Sequence, residues 1–249
     1  MMRISETVKH LLIINVLMFI GASTIGDGVL FYDWFAMHFP KNDAFQPWQI
    51  VTHMFMHGGL MHILFNMFAL WMFGTPVEQV LGSKRFMFVY FSAGLGAVGL
   101  QTAYYYFQYL PDYNALIESG LTSESIKQML VSNQTIGQLS QLQIEQLKHI
   151  FPAYNAVMVG ASGCIMGILV AFGMMNPNAE LMLIFLPIPI KAKYFIPGII
   201  ILDLISGLTG QSFFSPSNTA YMAHVGGALT GFIIMWYWKK NQFNRNRWD

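Results

Sequence analysis

Charge is scarce in this chain. Only 10% of its 249 residues are Asp, Glu, Lys or Arg, against 55% hydrophobic residues, whereas soluble domains carry about 25% charged residues. That deficit excludes an ordinary water-soluble globular domain. The two signs nearly cancel, 13 basic residues against 12 acidic for a net charge of +1, so nothing here resembles the basic surface that nucleic acid requires. Cysteine occurs once, at Cys164, which excludes an internal disulfide and leaves the redox compartment unread. There is no HExxH motif. His53 and His57 stand four apart but without a carboxylate at ligand spacing, so the chain is read as using neither metal nor cofactor.

What is abundant is hydrocarbon. A spanning helix needs about 20 apolar residues, fewer where it starts inside protein, and six stretches qualify: 10–25, 58–76, 85–107, 160–175, 194–210 and 220–238. They predict an all-α polytopic membrane protein, one domain over residues 1–249 with six transmembrane helices. The first stretch, behind Arg3 and Lys9, has the look of a signal peptide, but its removal would leave five spans and misplace the charges. With the N-terminus cytoplasmic, Arg3, Lys9, Lys84, Arg85, Lys191, Lys193, Lys239, Lys240, Arg245 and Arg247 fall inside, and only Lys41, Lys127 and Lys148 outside. That asymmetry puts both termini on the cytoplasmic side, with a basic tail at 239–249 and an inner aromatic belt at Trp236 and Trp238. In a bacterium the location would be the inner membrane.

Two connections depart from the pattern. Residues 26–57 are rich in aromatics, with Tyr32, Trp34 and Trp48 suited to the membrane interface. Residues 111–150 are polar and form an outer insertion between the third and fourth spans. Within it, Leu139, Leu142, Leu147 and Ile150 recur at helical spacing, which predicts one or two short amphipathic helices. Asn133-Gln134-Thr135 is a glycosylation sequon, meaningful only in a eukaryotic secretory setting.

Polar groups inside spans are costly and mark function by default. Counting at 1.5 Å per residue from the inner ends, Ser162 lies roughly 21 Å above Asn176, His224 roughly 22 Å above Lys239, and Asn66 and His62 roughly 18 and 24 Å above Glu78. The four share one layer of a core about 30 Å thick. Ser162 is a weak nucleophile unless a base takes its proton, and the imidazole of His224 can do so near neutral pH. Asp203 is read as lying nearer the outer end of the fifth span, so the expectation is a dyad without a carboxylate. The oxyanion would be held by the Asn66 amide, a His62 ring nitrogen and the backbone N–H of Ser162. His62 and Asn66, four apart, share a helix face. Gly160 permits a tight entry into the fourth span. Gly163 and Gly167 face Gly227 and Gly231, whose GxxxG spacing lets two helices approach closely.

The motifs "GASG" at 160–163, "HILFN" at 62–66 and "AHVGGALTG" at 223–231, in that order on those spans, resemble the rhomboid intramembrane serine proteases over roughly residues 10–240. The resemblance implies Ser162 as nucleophile, His224 as base, and His62 and Asn66 at the oxyanion. It also implies transmembrane protein substrates met in the bilayer, with a small residue at the cleaved bond and helix-weakening residues nearby. His57 and Glu78 match further recurring family positions. Two positions depart. The outer loop carries Trp48-Gln49 where many members have Trp-Arg. Met166 stands where many have an aromatic ring on the catalytic histidine, and a thioether packs there less directionally. The rival readings are an inactive rhomboid-like protein that binds membrane clients and a proton-coupled transporter. Both Ser162 and His224 are present, against the first, and no internal repeat is found, against the second. The sequence names no substrate and no oligomeric state.

Overall fold

The computed structural model describes residues 3–183, 186–213 and 219–242. Arg245 and Arg247 of the expected basic tail lie outside the described residues. The chain opens with α1 (Glu6–Thr24), a 3-10 turn, and α2 (Val29–Phe35), then β1 (Met37–His38) and α3 (Gln49–Thr52). Next come α4 (Leu60–Ala69) and α5 (Thr75–Leu81), joined by a π turn over Leu70–Gly74, and the long α6 (Ser83–Glu118). Helices α7 (Ser123–Ser132) and α8 (Gln141–Tyr154) precede β2 (Val157–Met158) and α9 (Ser162–Met175). A hairpin of β3 (Glu180–Leu183) and β4 (Leu186–Lys191) leads to α10 (Ala192–Thr209) and α11 (Tyr221–Gln242).

Four stretches of the described residues are helices long and apolar enough to cross a membrane: Glu6–Thr24, Leu60–Leu81, Ser83–Glu118 and Ala192–Thr209. Helix α9 is apolar but has only 14 residues, a length of about 21 Å. It can be short because its first turn starts inside the protein, where neighbouring elements satisfy the backbone. Helix α11 has 22 residues.

The three helices α6, α9 and α11 pack most closely, and small residues make that possible. A Cβ on Gly227 would overlap the Gly163 carbonyl, and one on Gly231 would lie 2.6 Å from Gly167 Cα. On its other side α11 meets α6, where a Cβ on Gly226 would lie 2.5 Å from the Gly96 carbonyl. At the end of this bundle holding the start of α6 and the end of α11, Arg85 lies over the Trp238 ring and Lys240 over Trp236. Helix α1 is tied on by Glu78, whose carboxylate accepts from the backbone N–H of Thr7 and Val8 and the hydroxyls of Ser5 and Ser83. Those backbone donors belong to the first turn of α1 and have no partner within their own helix.

The segment 111–150 differs from its reading in one respect. Its first residues, through Glu118, continue α6 past Pro111 instead of leaving the span at 107. The rest is two amphipathic helices as expected, and α8 begins with a capping box between Ser140 and Gln143. Together with the end of α6 they enclose a separate apolar core of Phe39, Tyr109, Leu116, Ile126, Leu130, Ile150 and Tyr154. Phe39 belongs to the aromatic connection after α1, so the cap and that connection share one core. Asn42 Nδ2 donates to the Tyr154 carbonyl, Lys127 pairs with Asp43 at 2.5 Å, and β1 pairs antiparallel with β2, Met37 opposite Met158. Asp43 beside the Lys127 ammonium pushes that group's pKa up. The β3–β4 hairpin was not anticipated from the sequence.

Candidate active site

Ser162 is the first residue of α9, held there by the turn before it. Gly160 has φ +126°, a conformation that side chains rarely adopt, and a Cβ on it would lie 2.8 Å from His62 Nε2. Glycine is needed here on both counts. Its N–H donates to the His53 carbonyl at 3.0 Å, which fixes the entry to α9 against the aromatic connection. His53 is itself buried, with Nδ1 2.8 Å from the Gln49 carbonyl. Burial pushes its pKa down to about 4, so its ring is neutral at neutral pH.

Gln49, the departure from Trp-Arg, anchors the aromatic connection through its amide. It is fully buried. Its Nε2 donates to the carbonyls of Asp33 and Ala44 at 2.9 and 3.0 Å. Its Oε1 accepts from the N–H groups of His38 and Gln46 at 3.3 and 3.0 Å. An amide has two donors and two acceptor lone pairs, and all four are used.

Helix α4 presents His62 and Asn66 on one face. Gly58 N–H donates to His62 Nδ1 at 3.3 Å, so in the neutral ring the proton sits on Nε2. That nitrogen faces Gly160, and the same point beside Gly160 is 3.6 Å from Ser162 Oγ. Asn66 is buried and donates one amide N–H to the His62 carbonyl at 3.0 Å. His57 packs edge-on against His62 with ring centroids 5.0 Å apart, and its ring nitrogens have no partner among the described residues. Met166 is buried in the main core.

His224 enters from the first turn of α11. The Ala223 carbonyl, one residue before it, faces Gly163, one residue after Ser162, at 3.6 Å from where a Cβ would stand. The structure thus brings the beginnings of α9 and α11 together and sets His62 beside them. Among the described residues no hydrogen bond joins Ser162 Oγ to His224. Before substrate binds, such bonds are commonly long or poorly aligned.

The expectation that no carboxylate accompanies this pair is corrected. His224 Nδ1 lies 2.7 Å from Asp203 Oδ2, with Asp203 fully buried and the His224 side chain 13% exposed. Asp203 stands six residues before the end of α10, about 9 Å along the helix, and His224 stands three residues into α11. The rule that an ionisable residue inside a span needs a partner was the signal available. No group of three or more potential metal-ligating residues occurs among the described residues.

The sequence model of the Rhomboid domain matches residues 44–241. Proteins named Rhomboid protease GlpG from Salmonella newport (strain SL254), Salmonella heidelberg (strain SL476) and Salmonella typhimurium (strain LT2) are each 42% identical to this chain over 74 residues. That stretch is 30% of this chain and spans about a quarter, 26%, of the length of each relative. With the domain match covering most of its length and apolar helices of spanning length, this integral membrane protein belongs to the rhomboid family.

Proposed function

We propose that this chain is an intramembrane serine endopeptidase that cleaves transmembrane segments of other membrane proteins, using Ser162 as nucleophile and His224 as general base. One observation carries the reading. A Cβ on Gly227 would overlap the Gly163 carbonyl and one on Gly163 would lie 3.6 Å from the Ala223 carbonyl, so the first turns of α9 and α11, which carry Ser162 and His224, approach each other closely. The membership in a family that includes proteins named Rhomboid protease supports it.

In this mechanism His224 takes the Ser162 proton as Oγ attacks the peptide carbonyl, then gives it to the leaving amine. An acyl-enzyme forms and is hydrolysed by water through the same two residues. The tetrahedral oxygen carries negative charge and needs donors already in place. The backbone N–H of Ser162, at the unpaired positive end of α9, is one. His62 Nε2–H and the remaining Asn66 amide proton supply the others. A spanning substrate must unwind locally before its carbonyl reaches Ser162, because helical carbonyls are already hydrogen-bonded. The same reading takes 1–249 as one domain of six spans with both termini on the cytoplasmic side, in the inner membrane if the source is bacterial.

The test is covalent labelling of the detergent-purified protein with a fluorophosphonate probe. Wild type should be labelled on Ser162, while Ser162→Ala and His224→Ala should not be, and the double variant should be no worse than either single one. Labelling that persists undiminished in Ser162→Ala would refute the assignment.

A further inference from the structure

An isolated carboxylate in an apolar span is costly, and Asp203 is fully buried in the middle of one. Its Oδ2 is 2.7 Å from Nδ1 of His224. The imidazole therefore has one nitrogen engaged by α10, and the other has no hydrogen bond among the described residues. We propose that Asp203 is a positioning residue for the reaction, holding His224 in the tautomer and orientation that leave Nε2 as the base toward Ser162. The inference rests on the reading of Ser162 and His224 as nucleophile and base, and goes beyond it by giving the pair a third member from a different helix.

The chemistry follows from donors and acceptors. An ionised carboxylate only accepts, so Nδ1 must carry the proton that joins it to Asp203, and Nε2 is left with its lone pair. When Nε2 takes the Ser162 proton, the imidazolium keeps the same bond to Asp203, now strengthened by charge. The proton then passes to the leaving amine. Asp203 neither gains nor loses it, and it touches neither substrate nor nucleophile. His62 on α4 is the other imidazole set beside the starts of α9 and α11. Its Nδ1 is already engaged by Gly58 N–H, so it cannot substitute for Asp203.

The decisive variants are Asp203→Asn and Asp203→Ala, each measured for fluorophosphonate labelling rate, for kcat and KM on a transmembrane substrate, and for Tm. Asparagine is nearly isosteric but can donate to Nδ1, which would place the imidazole proton on Nε2 and remove the base. Labelling and kcat should fall by about 10²–10⁴-fold in Asp203→Asn, with KM and Tm little changed, because the analogous wrong-tautomer substitution in serine proteases costs that order of rate. Asp203→Ala, which leaves the ring free to choose either tautomer, should be no slower than Asp203→Asn. A merely structural role reverses this order, with the isosteric variant near wild type and the truncated one impaired. That reversal, or an Asp203→Asn protein that labels at the wild-type rate, overturns the proposal. So does an Asp203→Asn protein that fails to fold, since the carboxylate would then be holding α10 to α11. Wild-type protein that labels nowhere would instead defeat the reading of Ser162 and leave a result distinct from these.

Discussion

At the scale of single residues, one buried amide organises the aromatic connection. Gln49 uses all of its donors and acceptors to tie four backbone groups from 33 to 46. Those groups are the loop's own carbonyls and N–H groups, which must be paired if buried. Gln49→Leu keeps the volume and removes every bond. Each buried group left unpaired costs about 1–3 kcal/mol, so the variant should lose several degrees of Tm in detergent, and Gln49→Glu, which keeps only the acceptors, should also be destabilised. A Gln49→Leu protein with an unchanged Tm would show that the loop carries no stability. The position was visible in the sequence as a departure, but its role was not. A glutamine beside a tryptophan says nothing about four carbonyls and N–H groups that only the folded loop brings within reach. The same is true of Asp203, whose place in an apolar stretch was legible and whose partner was not.

At the scale of elements, spacing carried most of the reading and tertiary packing decided the rest. The glycines at 163, 167, 227 and 231 read as one close seam, and the structure packs them in that register. The seam predicts a sharp difference between glycines of the same bundle. Gly227→Ala would push a methyl into the Gly163 backbone, which cannot give way as a flexible side chain can, and overpacking of this kind costs about 1–3 kcal/mol. Gly99 on α6 has nothing within 4 Å of a Cβ, so Gly99→Ala should be neutral or slightly stabilising, since alanine favours helix. Tm and probe labelling of the two variants check this directly, and equal behaviour would mean that the seam is not what aligns α9 with α11. One boundary differs from its expectation and one hairpin has no counterpart in it, each for an identifiable reason. Proline inside a helix costs about 3 kcal/mol, which argues for ending the third span before Pro111. Yet Tyr109 stacks on Tyr113 with centroids 5.1 Å apart and Leu116 is fully buried in the cap core, and that burial outweighs one missing donor. Prolines 187 and 189 argue against a strand. Placed two apart, they leave the alternate N–H groups of Leu186, Ile188 and Ile190 available, and a two-stranded ribbon needs donors on one side of the strand only.

At the scale of the whole molecule, the chain is two cores with a shared boundary, the apolar bundle that carries the proposed site and the cap of α7, α8 and the end of α6. No proposed site residue lies within 111–150, which on the sequence alone makes the segment separable. The boundary qualifies that separation. Phe39 of the aromatic connection is buried in the cap core, β1 just before it pairs with β2, and β2 runs directly into the Gly160 turn before Ser162. Replacing 111–150 with a short Gly/Ser linker removes Leu116, Ile126, Met129, Leu130 and Ile150 from around Phe39, Tyr109 and Tyr154. Burying one such side chain stabilises by about 1.5–3 kcal/mol, so the replaced protein should melt at a clearly lower Tm. The Gly160 turn, however, keeps its own bond to the His53 carbonyl, and α9 keeps its seam with α11. Labelling of Ser162 by a small fluorophosphonate should therefore persist below the new Tm. Cleavage of a transmembrane substrate should fall more than labelling does where the cap guides an entering segment, a task the small probe does not require. The two readouts belong in one preparation. If labelling vanishes from a folded, monodisperse protein, β1 and β2 transmit the cap's order to Ser162 and the cap belongs to the catalytic core. If labelling and cleavage are both unchanged, the cap neither orders the site nor guides substrate toward it.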